Sequence, residues 1–168
     1  YNRGTNPTTN DTDNDNVDDY NEIYTYNTSA INADTDDDNV KDGEEIFTYQ
    51  TDPLDSDSDD DLLPDGWEIG YNFNATDPTD ATNDPDNDTL TNLQEYNMGL
   101  NPINNDTDAD GLEDGDEINT YGSDPLKIDT DGDTLNDSAE VMIYNTDPTL
   151  NDTDNDSLLD GEEINLYN

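Results

Sequence analysis

The sequence has no cysteine and no histidine, and only three of its 168 residues are lysine or arginine. Without cysteine, no disulfide can hold the chain together, and the redox compartment stays undecided. The absence of histidine removes the commonest ligand for zinc or copper and the usual general base of an enzyme. Oxygen is the ligand type that remains, and oxygen ligands select hard cations such as calcium.

The same shortages exclude several partners. Only Arg3, Lys41 and Lys127 could neutralise phosphate groups, so we expect binding neither to nucleic acid nor to an anionic membrane surface. No apolar run approaches the roughly 20 residues that a membrane-spanning helix needs, so no membrane span is expected in this segment. The chain begins at Tyr1 without a secretory leader, so we expect a mature or excised segment.

Negative charge is what the sequence has in abundance. Its 47 Asp and Glu residues give a formal net charge of -44, and only 27% of the residues are hydrophobic. Such a chain buries too little apolar surface to offset its conformational entropy, and its charges repel one another. We therefore expect it to be unfolded until cations bind.

The chain is a tandem repeat. An acidic motif of twelve residues begins at Asp11, Asp34, Asp57, Asp84, Asp106, Asp129 and Asp152, at spacings of 23, 23, 27, 22, 23 and 23 residues. We number these residues as places 1 to 12 of each loop. Acids occupy places 1, 3, 5, 9 and 12, except that place 9 of the fourth loop is Asn92, and an apolar residue occupies place 7. The spacing predicts a single array of seven repeats of about 23 residues over residues 1–168.

Each loop has the ligand spacing of a calcium-binding EF-hand loop. Places 1, 3 and 5 point inward together, place 7 offers a backbone carbonyl, and the place 12 Glu can bind through both oxygens. The metal ligands that we predict, with the place 9 residue included, are Asp11, Asp13, Asp15, Val17, Asp19 and Glu22; Asp34, Asp36, Asp38, Val40, Asp42 and Glu45; Asp57, Asp59, Asp61, Leu63, Asp65 and Glu68; Asp84, Asp86, Asp88, Leu90, Asn92 and Glu95; Asp106, Asp108, Asp110, Leu112, Asp114 and Glu117; Asp129, Asp131, Asp133, Leu135, Asp137 and Glu140; and Asp152, Asp154, Asp156, Leu158, Asp160 and Glu163.

Place 6 departs from an EF-hand, which has glycine there for a sharp turn. The seven residues are Asn16, Asn39, Leu62, Thr89, Gly111, Thr134 and Ser157. Because leucine and threonine disfavour a left-handed backbone, we expect the backbone at this place to differ from that of an EF-hand.

Apolar residues follow each loop at helical spacing. They are Ile23, Ile46, Ile69, Tyr96, Ile118, Val141 and Ile164, with Tyr26, Tyr49, Tyr121, Tyr144 and Tyr167 three residues later. This spacing predicts a short helical turn whose side chains cluster with the place 7 residue. A turn with an Asp-Pro or Asn-Pro pair then leads to most of the following loops.

Residues 122–133, Gly-Ser-Asp-Pro-Leu-Lys-Ile-Asp-Thr-Asp-Gly-Asp, followed by Leu135, Asp137 and Glu140, resemble the bacterial and archaeal thrombospondin type-3-like calcium-binding repeat. The resemblance extends over the whole chain. It implies a mostly irregular, solenoid-like array stabilised by calcium, with short helical turns and little regular secondary structure. It also implies an extracellular or cell-surface location and a structural, non-enzymatic role.

The charge suggests more than one ion per repeat. Seven calcium ions would leave a net charge of about −30, which is still strongly self-repelling. Acids outside the motif, among them Asp52, Asp77, Asp124 and Asp147 in the turns, are candidates for a second ion shared with the next loop.

Eight asparagines lie in Asn-x-Ser/Thr sequons, and we expect N-linked glycans on some of them: Asn10, Asn27, Asn74, Asn87, Asn105, Asn136, Asn151 and Asn155. Asn10, Asn105 and Asn151 share one place, immediately before a loop, and none of the eight is a predicted ligand.

Three functions compete. The first is an extracellular filament in which calcium-bridged copies join head to tail, and it explains the uniform repeats without capping units at the ends. The second is a calcium-rigidified stalk of a larger cell-surface adhesin or secreted enzyme. The third is an enzyme with paired carboxylates, as in glycosidases, and it is disfavoured because the repeat explains every acid pair.

Overall fold

The computed structural model describes residues 4–166, so Tyr1, Arg3 and Tyr167, named above, lie outside the described residues. Within that range the chain is mostly irregular: it has no β-strand, and one short helix begins near the end of each loop. The helices are α1 (Asp19–Asn21), α2 (Asp42–Glu44), α3 (Asp65–Tyr71), α4 (Asn92–Met98), α5 (Asp114–Asp116), α6 (Asp137–Ala139) and α7 (Asp160–Leu166). The predicted fold class, an irregular array with short helical turns, is confirmed.

Four of these helices continue into a wider turn of π type. The continuations are Glu22–Tyr26 after α1, Glu45–Tyr49 after α2, Glu117–Tyr121 after α5 and Glu140–Tyr144 after α6. A further 3-10 turn, Asp80–Thr82, lies in the longer connection between the third and fourth loops.

Each helix begins at place 9, after a residue that has an extended backbone in the first six repeats and whose side chain caps the helix in three of them, at Asp18, Thr91 and Asn136. Asp18 (φ −84°, ψ 146°) accepts a hydrogen bond from the Asn21 N–H, and Thr91 (φ −93°, ψ 157°) accepts one from the Gln94 N–H. Left-handed residues such as Asn27 (φ 65°) and Gly99 (φ 77°) then end the helices. The place 12 Glu therefore leaves the first helical turn and faces back towards the loop.

Place 6 has a left-handed backbone in all seven loops, with φ between 80° at Asn39 and 106° at Gly111. The expectation that this backbone differs from an EF-hand was wrong, even at Leu62 (φ 81°) and Thr134 (φ 88°). The place 1 carboxylate holds the conformation: Asp57 Oδ2 accepts the Leu62 N–H at 2.9 Å, and Asp129 Oδ2 accepts the Thr134 N–H at 3.0 Å. A charge-assisted hydrogen bond thus offsets the cost of the unfavourable φ.

The apolar core is thin. It consists of the place 7 side chains and a few small residues from the connections: Val17, Val40, Leu63, Leu90, Leu112, Ala30, Ala75, Ala81 and Leu100. The predicted helix-face residues contribute less than expected, since Ile118 is 37% exposed and Tyr49 and Tyr144 are each 40% exposed. Most of the remaining buried side chains are acidic.

Contacts divide the chain into two compact units. The first unit, Tyr1–Ala81, contains loops one to three, and the second, Thr82–Asn168, contains loops four to seven. Within each unit, successive repeats pack on one another.

Candidate metal centres

Within a loop, the carboxylates of places 1, 3 and 5 converge. One oxygen from each lies within 4.8 Å of the others in the groups Asp11–Asp13–Asp15, Asp34–Asp36–Asp38 and Asp57–Asp59–Asp61. Place 1 is fixed by the loop backbone: Asp11 Oδ1 accepts the Asn14 N–H at 2.7 Å, and its Oδ2 accepts the Asn16 N–H at 3.2 Å. The loop is therefore organised around a point where negative charge accumulates.

Buried carboxylate oxygens in this arrangement have no hydrogen-bond donor. At place 3, both oxygens of Asp13 and Asp59 and one oxygen each of Asp36, Asp86, Asp108 and Asp131 are in this state. At place 12, it applies to both oxygens of Glu22, Glu68 and Glu95 and to one oxygen each of Glu45, Glu117 and Glu140. Burying ionised carboxylates without donors is very costly unless a cation supplies the missing interaction, and this oxygen-only set fits calcium.

A second group of carboxylates lies at the junction between successive repeats. Places 5 and 12 of one loop meet place 9 of the next, with oxygens within 4.8 Å of one another in Asp15–Glu22–Asp42 and in Asp38–Glu45–Asp65. All six of these residues are buried. The sequence predicted that the place 9 residue is a ligand in its own loop. In these clusters it lies instead beside places 5 and 12 of the preceding loop.

The residue at place 2 holds the place 9 carboxylate in this position. The Thr35 N–H and Oγ1–H donate to the two oxygens of Asp42, each at 2.7 Å, while Thr35 Oγ1 accepts the Ser29 N–H at 3.0 Å. The same pair of bonds recurs at Thr12, Ser58, Thr107, Thr130 and Thr153. Place 2 of the fourth loop is Pro85, which has no donor, and place 9 there is Asn92. Sequence reasoning missed this role, although a hydroxyl at place 2 in six of seven loops was a visible signal.

Place 10 was also missed, and here the backbone requires a small residue. An added Cβ would lie 2.1 Å from the Asp15 carbonyl oxygen at Gly43 and 2.0 Å from the Asp38 carbonyl oxygen at Gly66. The Gly66 N–H also donates to Asp38 Oδ2 at 3.0 Å, and the Gly115 N–H donates to Asp88 Oδ2 at 3.0 Å. Place 10 thus joins each regular junction through the place 5 residue of the preceding repeat.

Burial and mutual repulsion disfavour the charged forms of these acids. Burial, with neighbouring carboxylates adding to it, raises the pKa of Glu22, Glu45, Glu95 and Glu117 to about 8 and the pKa of Glu68 to about 9. At place 3, burial raises the pKa of Asp13, Asp36, Asp59, Asp108 and Asp131 to about 6. A cation at these positions would favour the ionised forms again.

The turn aspartates that the sequence offered for a second ion have local partners. Asp52 accepts the Leu54 N–H at 3.2 Å, and Asp147 accepts the N–H and Oγ1–H of Thr149. Asp77 does the same with Thr79, and Asp124 pairs with Lys127, whose ammonium group lowers the pKa of the Asp124 carboxyl. These carboxylates stabilise their own turns.

The remaining predicted ligands are the place 7 residues and the residues of the seventh loop. Place 7 N–H groups donate to the place 5 carboxylate, as from Val40 to Asp38 at 2.7 Å, while their side chains form the core. In the seventh loop, Asp152 accepts the usual bond from the place 6 N–H of Ser157, but Asp154 and Asp156 are exposed and Leu158 is 40% exposed. Among residues 4–166, no helix has the length and apolar composition that a membrane crossing needs.

Most of the sequon asparagines are exposed: Asn10, Asn27, Asn74, Asn87, Asn151 and Asn155. Asn105 and Asn136 are half-buried. Asn136 accepts the Ala139 N–H at 2.9 Å and so caps α6, which leaves it less accessible to modification than the others.

Residues 106–128 and 129–151 match the Bacterial TSP3 repeat, which confirms the resemblance found in the sequence. Two solved structures are similar over short stretches. A BSP domain of a biofilm-associated protein is 41% identical over 26% of this chain and 8% of its own, with a TM-score of 0.26. A B domain of a biofilm-associated protein is 47% identical over 27% of this chain and 11% of its own, with a TM-score of 0.27. No curated protein matches the chain.

Proposed function

We propose that this chain is a calcium-stiffened structural segment of an extracellular or cell-surface protein, and that it forms a filament or fibre of tandem calcium-bridged repeats. The observation that carries this proposal is the set of buried carboxylates at the repeat junctions. Glu22, Asp15 and Asp42 come from two successive repeats, and neither oxygen of Glu22 has a donor. A calcium ion among them binds both repeats and fixes their mutual orientation.

The regular junctions use the same chemistry, which supports propagation. Places 5 and 12 of one loop and places 9 and 10 of the next are sufficient to define it, so further repeats can extend the array. Support for an extracellular location comes from the repeat family and from the calcium concentration there. Extracellular calcium modules bind at about 0.1–1 mM, a range in which they are occupied only outside the cell.

The second candidate is a calcium-stiffened stalk within a larger adhesin or secreted enzyme. It uses the same junctions, and in it the adjoining repeats belong to one longer chain instead of to separate copies. A catalytic role is not part of either proposal, because the acids lie at repeated places and hold the repeats together.

Electron microscopy of the purified protein, with calcium and after chelation, tests the proposal and separates the two candidates. Straight filaments longer than one chain that dissolve on chelation support the filament. Isolated rods that become flexible on chelation support the stalk. Particles whose shape does not respond to chelation would refute calcium stiffening, and a sample in magnesium serves as the control for a general charge effect.

We also propose N-linked glycans at accessible sequons, principally Asn10 and Asn151, which are exposed and immediately precede a loop. Glycans at these sites would cover the outside of the array without touching a ligand. An intact mass of the protein from its natural source equal to that of the bare polypeptide would exclude them.

A further inference from the structure

The connection between the third and fourth loops breaks the repeat pattern. It is longer, since Asp57 and Asp84 are 27 positions apart. In addition, places 9 and 10 of the fourth loop are Asn92 and Leu93, which offer neither a carboxylate nor a small side chain. By sequence alone, the third repeat lacks the two residues that complete a regular junction.

Two residues of the longer connection take over these roles. The Ala81 N–H donates to Asp61 Oδ2 at 3.3 Å, the bond that place 10 makes to place 5 in the regular junctions. Ala81 is 4% exposed, and like the glycines at place 10 it has a small side chain. The residue before it is Asp80, which therefore stands where place 9 stands in a regular junction.

The Asp80 carboxylate is buried and held in place. Asp80 is 8% exposed, and its Oδ2 accepts the Asn74 N–H at 3.0 Å. In a regular junction, the place 2 N–H makes the equivalent bond to the place 9 carboxylate, as from Ser58 to Asp65 at 2.8 Å. A backbone donor from a neighbouring turn thus fixes the carboxylate in both cases.

An unsatisfied side chain faces this group. Glu68 is fully buried, and neither of its Oε atoms accepts a hydrogen bond. The carboxyl group of Asp80 faces that of Glu68, close enough for direct side-chain contact. Buried carboxylates that repel one another need either a cation or a retained proton.

We propose that Asp80 is a calcium ligand that, together with Asp61 and Glu68, completes a junction site for the third repeat from within the unit Tyr1–Ala81. This inference rests on the proposed calcium-dependent function and adds a ligand from outside the repeated motif. The 3-10 turn Asp80–Thr82 is then a built-in cap of this unit, because it supplies the carboxylate that the next loop lacks.

The test compares Asp80→Asn with Asp77→Asn in the full chain. Asp77 is an exposed acid of the same connection and accepts bonds only within its own turn, so its substitution controls for the loss of one negative charge. Asparagine at residue 80 keeps an oxygen for the Asn74 N–H and removes the charge. Bound calcium is counted by equilibrium dialysis with the metal alone.

Trp67 provides a local readout. It is the only tryptophan of the chain and lies next to Glu68 in α3, so terbium emission sensitised by tryptophan reports on the third repeat. We expect the Asp80→Asn variant to bind one calcium fewer than the wild type. Its affinity for terbium, measured from the Trp67-sensitised emission, should fall at least about tenfold. Asp77→Asn should leave both unchanged.

A wild-type calcium count and terbium affinity in Asp80→Asn would overturn the inference and would indicate a proton on Glu68 instead of an ion. If wild-type protein bound no calcium, the proposed function itself would fail, which is a different result. Should Asp80→Asn not fold, anomalous scattering from terbium in wild-type crystals decides: an ion contacting Asp80 supports the assignment, and its absence there refutes it.

Discussion

Replacing Gly66 by alanine should break the junction between the second and third repeats. The added Cβ would lie 2.0 Å from the Asp38 carbonyl oxygen and 3.1 Å from its carbon, so the two backbones must separate by about 1 Å. Overpacking of this kind costs about 1–3 kcal/mol. Weakening the Gly66 N–H bond to the Asp38 carboxylate, 3.0 Å in the wild type, adds about 1–2 kcal/mol.

Alanine also favours a helix over glycine by up to about 1 kcal/mol, which offsets part of this cost. We therefore expect Gly66→Ala to lower the free energy of unfolding in saturating calcium by about 2–4 kcal/mol. Gly70→Ala is the matched control, because it lies in the same helix and its Cβ would meet no atom within 4 Å. That variant should be neutral or more stable.

Urea denaturation of both variants, followed by circular dichroism at fixed calcium, measures the difference. Calcium titration should also show weaker binding in Gly66→Ala, since the Asp38–Glu45–Asp65 group spans the disturbed junction. Equal stability and equal calcium affinity of the two variants would refute the close backbone approach and the role assigned to place 10.

Two further predictions concern pH and backbone strain. Without calcium, burial raises the folded-state pKa of Glu22 to about 8, of Glu68 to about 9 and of Glu140 to about 7, from the ordinary value of 4.5, so the calcium-free folded form should lose stability as pH rises from about 4.5 to about 9. With calcium the dependence of stability on pH reverses, because calcium ions displace the protons from these glutamates. The apparent calcium affinity should therefore fall as pH decreases from about 8 to 5. Calorimetric titrations across this range that show no change would contradict both statements. Leu62→Gly should stabilise the calcium-bound protein by about 1 kcal/mol, because Leu62 is 68% exposed with φ 81° and glycine relieves that strain. An unchanged or lower melting temperature would contradict this prediction and would indicate that the Leu62 side chain makes stabilising contacts.

The loop acids were predictable because their role is set by spacing along one loop. Places 1, 3 and 5 are alternate residues of a tight turn, so their convergence follows from local geometry. The irregular fold class was implied by the resemblance to the thrombospondin type-3-like repeat, while the scarcity of apolar residues predicted only the lack of a sizeable core, because composition limits what any arrangement can bury.

The junctions were not predictable in this way, because they join residues about 27 positions apart. In the sequence alone, a glycine at place 10 indicates only a less stable helix. The requirement for glycine at residue 66 follows from the nearby Asp38 carbonyl oxygen, which leaves no room for a Cβ. The place 6 backbone was predicted wrongly because single-residue preferences of about 1–2 kcal/mol were weighed without the hydrogen bond from Leu62 to Asp57. A tertiary contact decided place 10, and a hydrogen bond within the loop decided place 6.

The way the acids are distributed explains why calcium binding and folding should be inseparable in this chain. The exposed turn carboxylates, such as Asp52 and Asp77, have backbone donors and tolerate the absence of metal. The buried ones, such as Glu22 and Glu95, have none and lie where two repeats meet. Removal of calcium therefore leaves the hydrogen bonds of the turns intact, whereas the carboxylates at the junctions lose the cation that neutralises them. We infer that stiffness between repeats is lost before local turn structure, and calcium titrations that follow both signals should resolve this order.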